Sequence, residues 1–266
     1  MYDAKVFFPL LKVEGFEGFL ELSFLPANNW ENRLRRKVNI HAIWTQGDFW
    51  RSEKIDELSF GQNLSLSTND LDSRQLESGL CLLYPSREEL SNKLTLLPSK
   101  PIWFSRIPEW RCTSGLRLKN SQTSYQSELF PLPSKGTMLT FHPFIQYGEI
   151  DNYLLVLNLT KEPTLRRGFI DLFSAFDLTQ KGTAEIWTNS AVCIPLNDFN
   201  YESEDLPLIV SKEVAGIPFG LGVARDKSML SLEHTHPPAS FTLFGNRLQV
   251  QGQIKKKWFN RIELRR

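Results

Sequence analysis

The chain has 266 residues, of which 41% are hydrophobic and 12% aromatic. That is enough apolar surface to build a core without metal or disulfide staples. Its 31 basic and 30 acidic residues leave a net charge of +1, so no global field draws it to nucleic acid or to a membrane. Three widely spaced cysteines, Cys81, Cys112 and Cys193, show no CxxC pattern and argue against a disulfide framework or a zinc ribbon.

The first stretch, "MYDAKVFFPLLKVEG", is apolar but lacks a basic leader and is too short to cross a bilayer. A cytoplasmic protein is the expectation. "KVNIHAIWT" (37–45) then alternates Val38, Ile40, Ala42 and Trp44 against Lys37, Asn39, His41 and Ile43, the period of a half-buried strand. "PSREELSNKLTLLP" (85–98) predicts a short helix. Ser86 and Glu89 match a capping box, Leu90 and Leu94 make an i, i+4 pair, and Pro98 stops the run.

From residue 136 onward the alternation returns. "GTMLTFHPF", "NYLLVLNLT", "GFIDLFSAF", "TAEIWTN", "KSMLSLEH", "ASFTLFG" and "NRLQVQGQI" (246–254) all read as strands, punctuated by turn residues. The C-terminal "KKKWFNRIELRR" sets six basic residues around Trp258 and Phe259. Apart from this segment there is no nucleic-acid signal, and its plain reading is a solvated terminal strand.

Two pairs of segments line up in the same order. The Leu-Arg-Arg triplets at 34–36 and 165–167 each lead into a strand, and 114–133 aligns without a gap on 219–238, so that Glu128 meets Glu233. The expected architecture is therefore mainly β: two related antiparallel β-sandwich-like domains in tandem, 1–143 and 144–266, with one short helical insert near 85–98.

Three places carry candidate chemistry. "SLEHTHPP" (231–238) puts His234 and His236 on one strand face, the first step of a metal site. Glu233 is out of phase with them, and a third ligand has to come from elsewhere, with His142 as the candidate. The same Glu233, His234 and His236 are the only nominees for catalysis. "NSQTSYQSE" (120–128), together with Trp110 and Arg111, combines aromatic faces with neutral hydrogen-bonding groups. Trp110, Arg111, Tyr125, Gln126 and Glu128 are thus the candidate ligand-binding residues. No GxSxG, phosphate-binding loop, HExxH or GxGxxG occurs. The sequence points first to a non-catalytic binding protein for a carbohydrate or glycan-like ligand, with no cofactor. The alternatives are a His-dependent or metal-dependent enzyme of small-molecule or sugar metabolism, and a protein–protein assembly module.

Overall fold

A computed structural model describes residues 6–24, 37–99, 110–142, 149–201, 205–234 and 247–264. Its strands are β1 (Phe8–Leu11), β2 (Glu17–Phe24), β3 (Val38–Gln46), β4 (Phe49–Leu58), β5 (Asn63–Ser67), β6 (Leu80–Ser86), β7 (Lys93–Leu94), β8 (Trp110–Leu118) and β9 (Ser121–Gln126). They continue as β10 (Met138–Phe141), β11 (Ile150–Asn158), β12 (Arg167–Ser174), β13 (Gln180–Trp187), β14 (Ser190–Pro195), β15 (Pro207–Ser211), β16 (Ile217–Ala224) and β17 (Leu230–His234). One α-helix, α1 (Arg247–Glu263), ends the chain.

These strands form four antiparallel sheets, ordered β1-β6-β3-β4-β7, β5-β2-β8-β9, β10-β15-β12-β13 and β14-β11-β16-β17. Leaving out the two-residue β7, each set of eight strands reads first-sixth-third-fourth in one sheet and fifth-second-seventh-eighth in the other. Met138–Phe141 pairs with β15, so the second set begins ahead of residue 144, inside the segment assigned above to the first domain.

Alternation along each strand places one apolar face on each side of a sheet. Ile40, Ala42, Cys81 and Leu83 face Leu20, Leu22, Cys112 and Trp110 inside the first pair of sheets. Ile170, Leu172, Ile186 and Ile209 face Leu154, Val156 and Ile194 inside the second. The opposite faces are apolar too. Ile43, Trp50, Leu82 and Tyr84 pack on Leu155, Leu157, Phe219 and Leu221, joining the two sandwiches in one core. Polar bonds tie the same joint: the Trp50 indole donates to the Lys161 carbonyl at 3.0 Å and the Thr45 hydroxyl to the Pro163 carbonyl at 2.8 Å.

The outer face of β10-β15-β12 meets α1 instead. Leu139, Phe173, Leu208 and Val210 cluster with Ile262, and Trp258 and Phe259 pack against them. The i, i+4 spacing of Trp258 and Ile262 makes this possible. It overrides the alternation that suggested a strand over 246–254.

The helix expected at 85–98 does not form. Ser86 ends β6, and its hydroxyl accepts the Glu88 amide at 3.2 Å, closing a local turn. The chain then runs extended, Lys93 and Leu94 pair with Arg51 and Trp50, and Leu90, Leu94 and Leu97 pack against the joint between sandwiches. A helix of two or three turns is marginal alone; burying three leucines in extended form wins.

Candidate functional site

Trp110 is stacked on Phe24, with centroids 4.2 Å apart and planes 7° apart, and is 1% exposed. It offers no face to a ligand. Tyr125 packs against Phe219 across the joint at 4.5 Å. Burial pushes its phenol up, and the hydroxyl finds no partner among the described residues. Arg111 and Gln126 lie on the solvent side of β8 and β9, and Glu128 follows just after β9. The structure thus separates the five ligand candidates: the two rings point into cores, while the polar groups stay outside.

The histidines separate as well. Phe219 pairs with His234 and Gly220 with Glu233, so His234 and Glu233 occupy opposite faces of β17. The His234 ring lies against Phe219 at 5.1 Å. His142 is buried on the other side of that sheet: a Cβ on Gly220 would sit 3.0 Å from its Nε2, which lies 3.1 Å from the Tyr153 carbonyl oxygen. With a sheet between them, His142 and His234 cannot share an ion. His236 lies outside the described residues, and no group of three metal-ligating side chains occurs among those described.

The alignment of Glu128 on Glu233 also dissolves. The β8–β9 hairpin closes at Leu118–Ser121 across Lys119 and Asn120, whereas β16–β17 closes at Val223–Leu230. The longer turn slides the register, so Glu233 corresponds to Ser124. Burial pushes the Cys81, Cys112 and Cys193 thiols up to about 12, which disfavours the nucleophilic thiolate.

Polar groups do converge elsewhere. The mouth of the first sandwich is a groove of about 520 Å³. One wall is the inner face of β3 and β4, where Trp44 pairs with Arg51 and Glu53 lies beside Ala42. A bulge between Ile40 and His41 leaves Ile55 unpaired and turned into the same groove. The other wall is the loop after β5, which carries two successive capping boxes, Ser67 with Asp70 and Asp72 with Gln75. Such reciprocal bonds fix a loop.

Hydrogen bonds join Asp72, Arg74, Gln75 and Glu53 in one set and Arg51 with Gln46 in another. Gln75 accepts the Asp72 amide at 2.8 Å and donates to Glu53 at 3.1 Å. Arg74 clamps Asp72, whose carboxyl is lowered to about 2 by that guanidinium. Arg51 donates to Gln46 at 2.7 Å. The Trp44 indole N–H is shielded and has no partner among the described residues.

A second, larger groove of about 1020 Å³ lies between the two sets of strands, with Val13, Phe16, Leu165 and Trp187 among its walls.

Comparison with known protein families, curated proteins and solved structures found no match.

In sequence, Trp44 reads as one more inward residue of an alternating strand and does not announce the groove. The signal was in "STNDLDSRQL" (67–76), where Ser67–Asp70 and Asp72–Gln75 repeat the capping-box spacing inside a polar run.

Proposed function

We propose that the chain is a non-catalytic binding protein for a carbohydrate or glycan-like ligand, built as a tandem duplication of one eight-stranded sandwich, with its ligand site in the Trp44 groove of the first unit. The convergence of one indole wall with planar, pre-fixed polar side chains carries this reading. A sugar ring presents an apolar C–H face and a rim of hydroxyls. The first suits an aromatic surface, and the second suits carboxylate, amide and guanidinium groups held in place. Side chains already ordered by capping boxes and by the Gln75–Glu53 bond lose little entropy on binding. The duplication rests on the identical strand order of the two sets and on the Leu-Arg-Arg triplets.

The test is a tryptophan-fluorescence titration with a glycan panel on the wild-type chain and on Trp44→Ala. Saturable binding that weakens at least tenfold in the variant is expected. Equal affinity in both proteins, or no response to any glycan at millimolar concentration, refutes the reading.

The assembly alternative has its own observation. Leu165, Phe169 and Trp187 are 41%, 42% and 38% exposed near one end of the β12–β13 pair. Sedimentation across a concentration series decides it: self-association that Phe169→Asp abolishes supports assembly.

A further inference from the structure

The C-terminal 20 residues carry seven basic groups and one acidic group, and the first 246 carry the other 24 basic and 29 acidic groups, a balance of −5. A near-neutral total therefore conceals a positive end on a negative body, the kind of asymmetry that marks an electrostatic docking element. The structure makes that end a helix of 17 residues, α1, not a loose strand.

The packing of α1 determines which groups it presents. Ile262 is buried, Trp258 meets Phe141 edge-on at 5.3 Å, and Phe259 joins the same cluster. The aromatic side is committed to the β10-β15-β12 sheet. Lys256, Lys257 and Arg261 remain exposed, and Lys255 is half-buried. Glu263, the acidic residue of this stretch, pairs with Lys212 at 2.5 Å, and the Arg261 guanidinium lies over the Trp258 ring at 4.7 Å with its residue still exposed.

We propose that the exposed Lys256, Lys257 and Arg261 of α1 form a docking surface for the phosphodiester backbone of a nucleic-acid duplex. A membrane is the poorer fit. Interfacial helices insert an apolar aromatic side among the lipids, and here that side, with Ile262 buried and Trp258 half-buried, is turned onto the β10-β15-β12 sheet. A phosphate backbone asks only for cations at the surface. Trp258 and Phe259 are packed against the same sheet, so the contact runs through the cations and is independent of sequence.

The test is fluorescence anisotropy of a labelled mixed-sequence DNA duplex titrated with the full chain between about 50 and 200 mM salt. Each neutralised phosphate contributes a slope of about −0.9 in log K against log salt, so three cations predict a slope near −3. Lys256→Glu with Lys257→Glu should flatten that slope by about 2 and weaken binding more than tenfold at the lowest salt, with an unchanged thermal melt. No binding at about 50 mM salt, or the same slope in the double variant, overturns the proposal. So does binding of phosphatidylserine vesicles but not of duplex.

Discussion

The two sandwiches have the same strand order but different mouths. In the first, the inner faces of β3 and β4 and the loop after β5 stand apart, leaving the groove between Trp44 and the Asp70–Gln75 turn. In the second, the corresponding strands are β12 and β13 and the corresponding loop is 196–206. There Phe199 lies directly over Gly182, where a Cβ would overlap its ring, and Tyr201 donates its hydroxyl to the Phe173 carbonyl at 3.2 Å. Leu196, Phe199 and Tyr201 join the core cluster of that sandwich. One scaffold thus closes its mouth with aromatic side chains at one end and lines it with charged and amide groups at the other. A feature that a shared architecture does not require is the better candidate for function.

The largest expected effect separates two tryptophans of the first sandwich. Trp110→Ala removes a fully buried ring stacked on Phe24 and should cost about 3–5 kcal/mol, read in a urea melt. Such a loss identifies Trp110 as core. A stable variant with impaired ligand binding would restore it as a ligand platform. Next, Phe199→Ala unplugs the second mouth. Its ring is partly exposed, so the cost should fall below that range, at about 2 kcal/mol. A neutral result would mean that the plug is not packed, and the contrast between mouths would lose its physical basis.

Trp44→Ala should cost less again, about 1 kcal/mol, because that ring is only half-buried. Binding, not folding, should suffer. The smallest effect is on pH dependence. Burial and then the Lys54 charge lower the pKa of His41. The folded state therefore holds His41 neutral while the unfolded chain binds a proton below about 6.5, so stability falls as pH drops through that value. Melting temperatures at pH 7 and 5 should differ in that sense, and His41→Gln should reduce the difference. A slope that the variant leaves unchanged would contradict the assigned environment.

Much of the architecture was legible because strand alternation is a short-range signal. Val38, Ile40 and Ala42 do face the first core, and the Leu-Arg-Arg triplet at 165–167 does run into β12. The misses share one cause: local pattern lost to tertiary burial. Ser86 and Glu89 wrote a helix start, but Leu90, Leu94 and Leu97 bury more surface extended across the joint. Residues 246–254 alternated like a strand, but Trp258, Phe259 and Ile262 found an apolar sheet to cover as a helix. The candidate site was hardest to see, since its walls come from separate elements: Glu53 and Gln75, which hydrogen-bond across it, lie 22 residues apart. Trp110 and Trp44 look alike in sequence, and only the packing reveals which ring has a free side.

The most direct test of the central claim is a proton–nitrogen correlation spectrum of the indole N–H groups during titration with the glycan that binds best. The account predicts that the Trp44 indole resonance moves and saturates with the binding curve, while those of Trp50 and Trp110, sealed in their cores, stay in place. Movement of Trp187 alone would shift the site to the groove between the two sandwiches, and a still Trp44 resonance at saturating ligand would contradict the account.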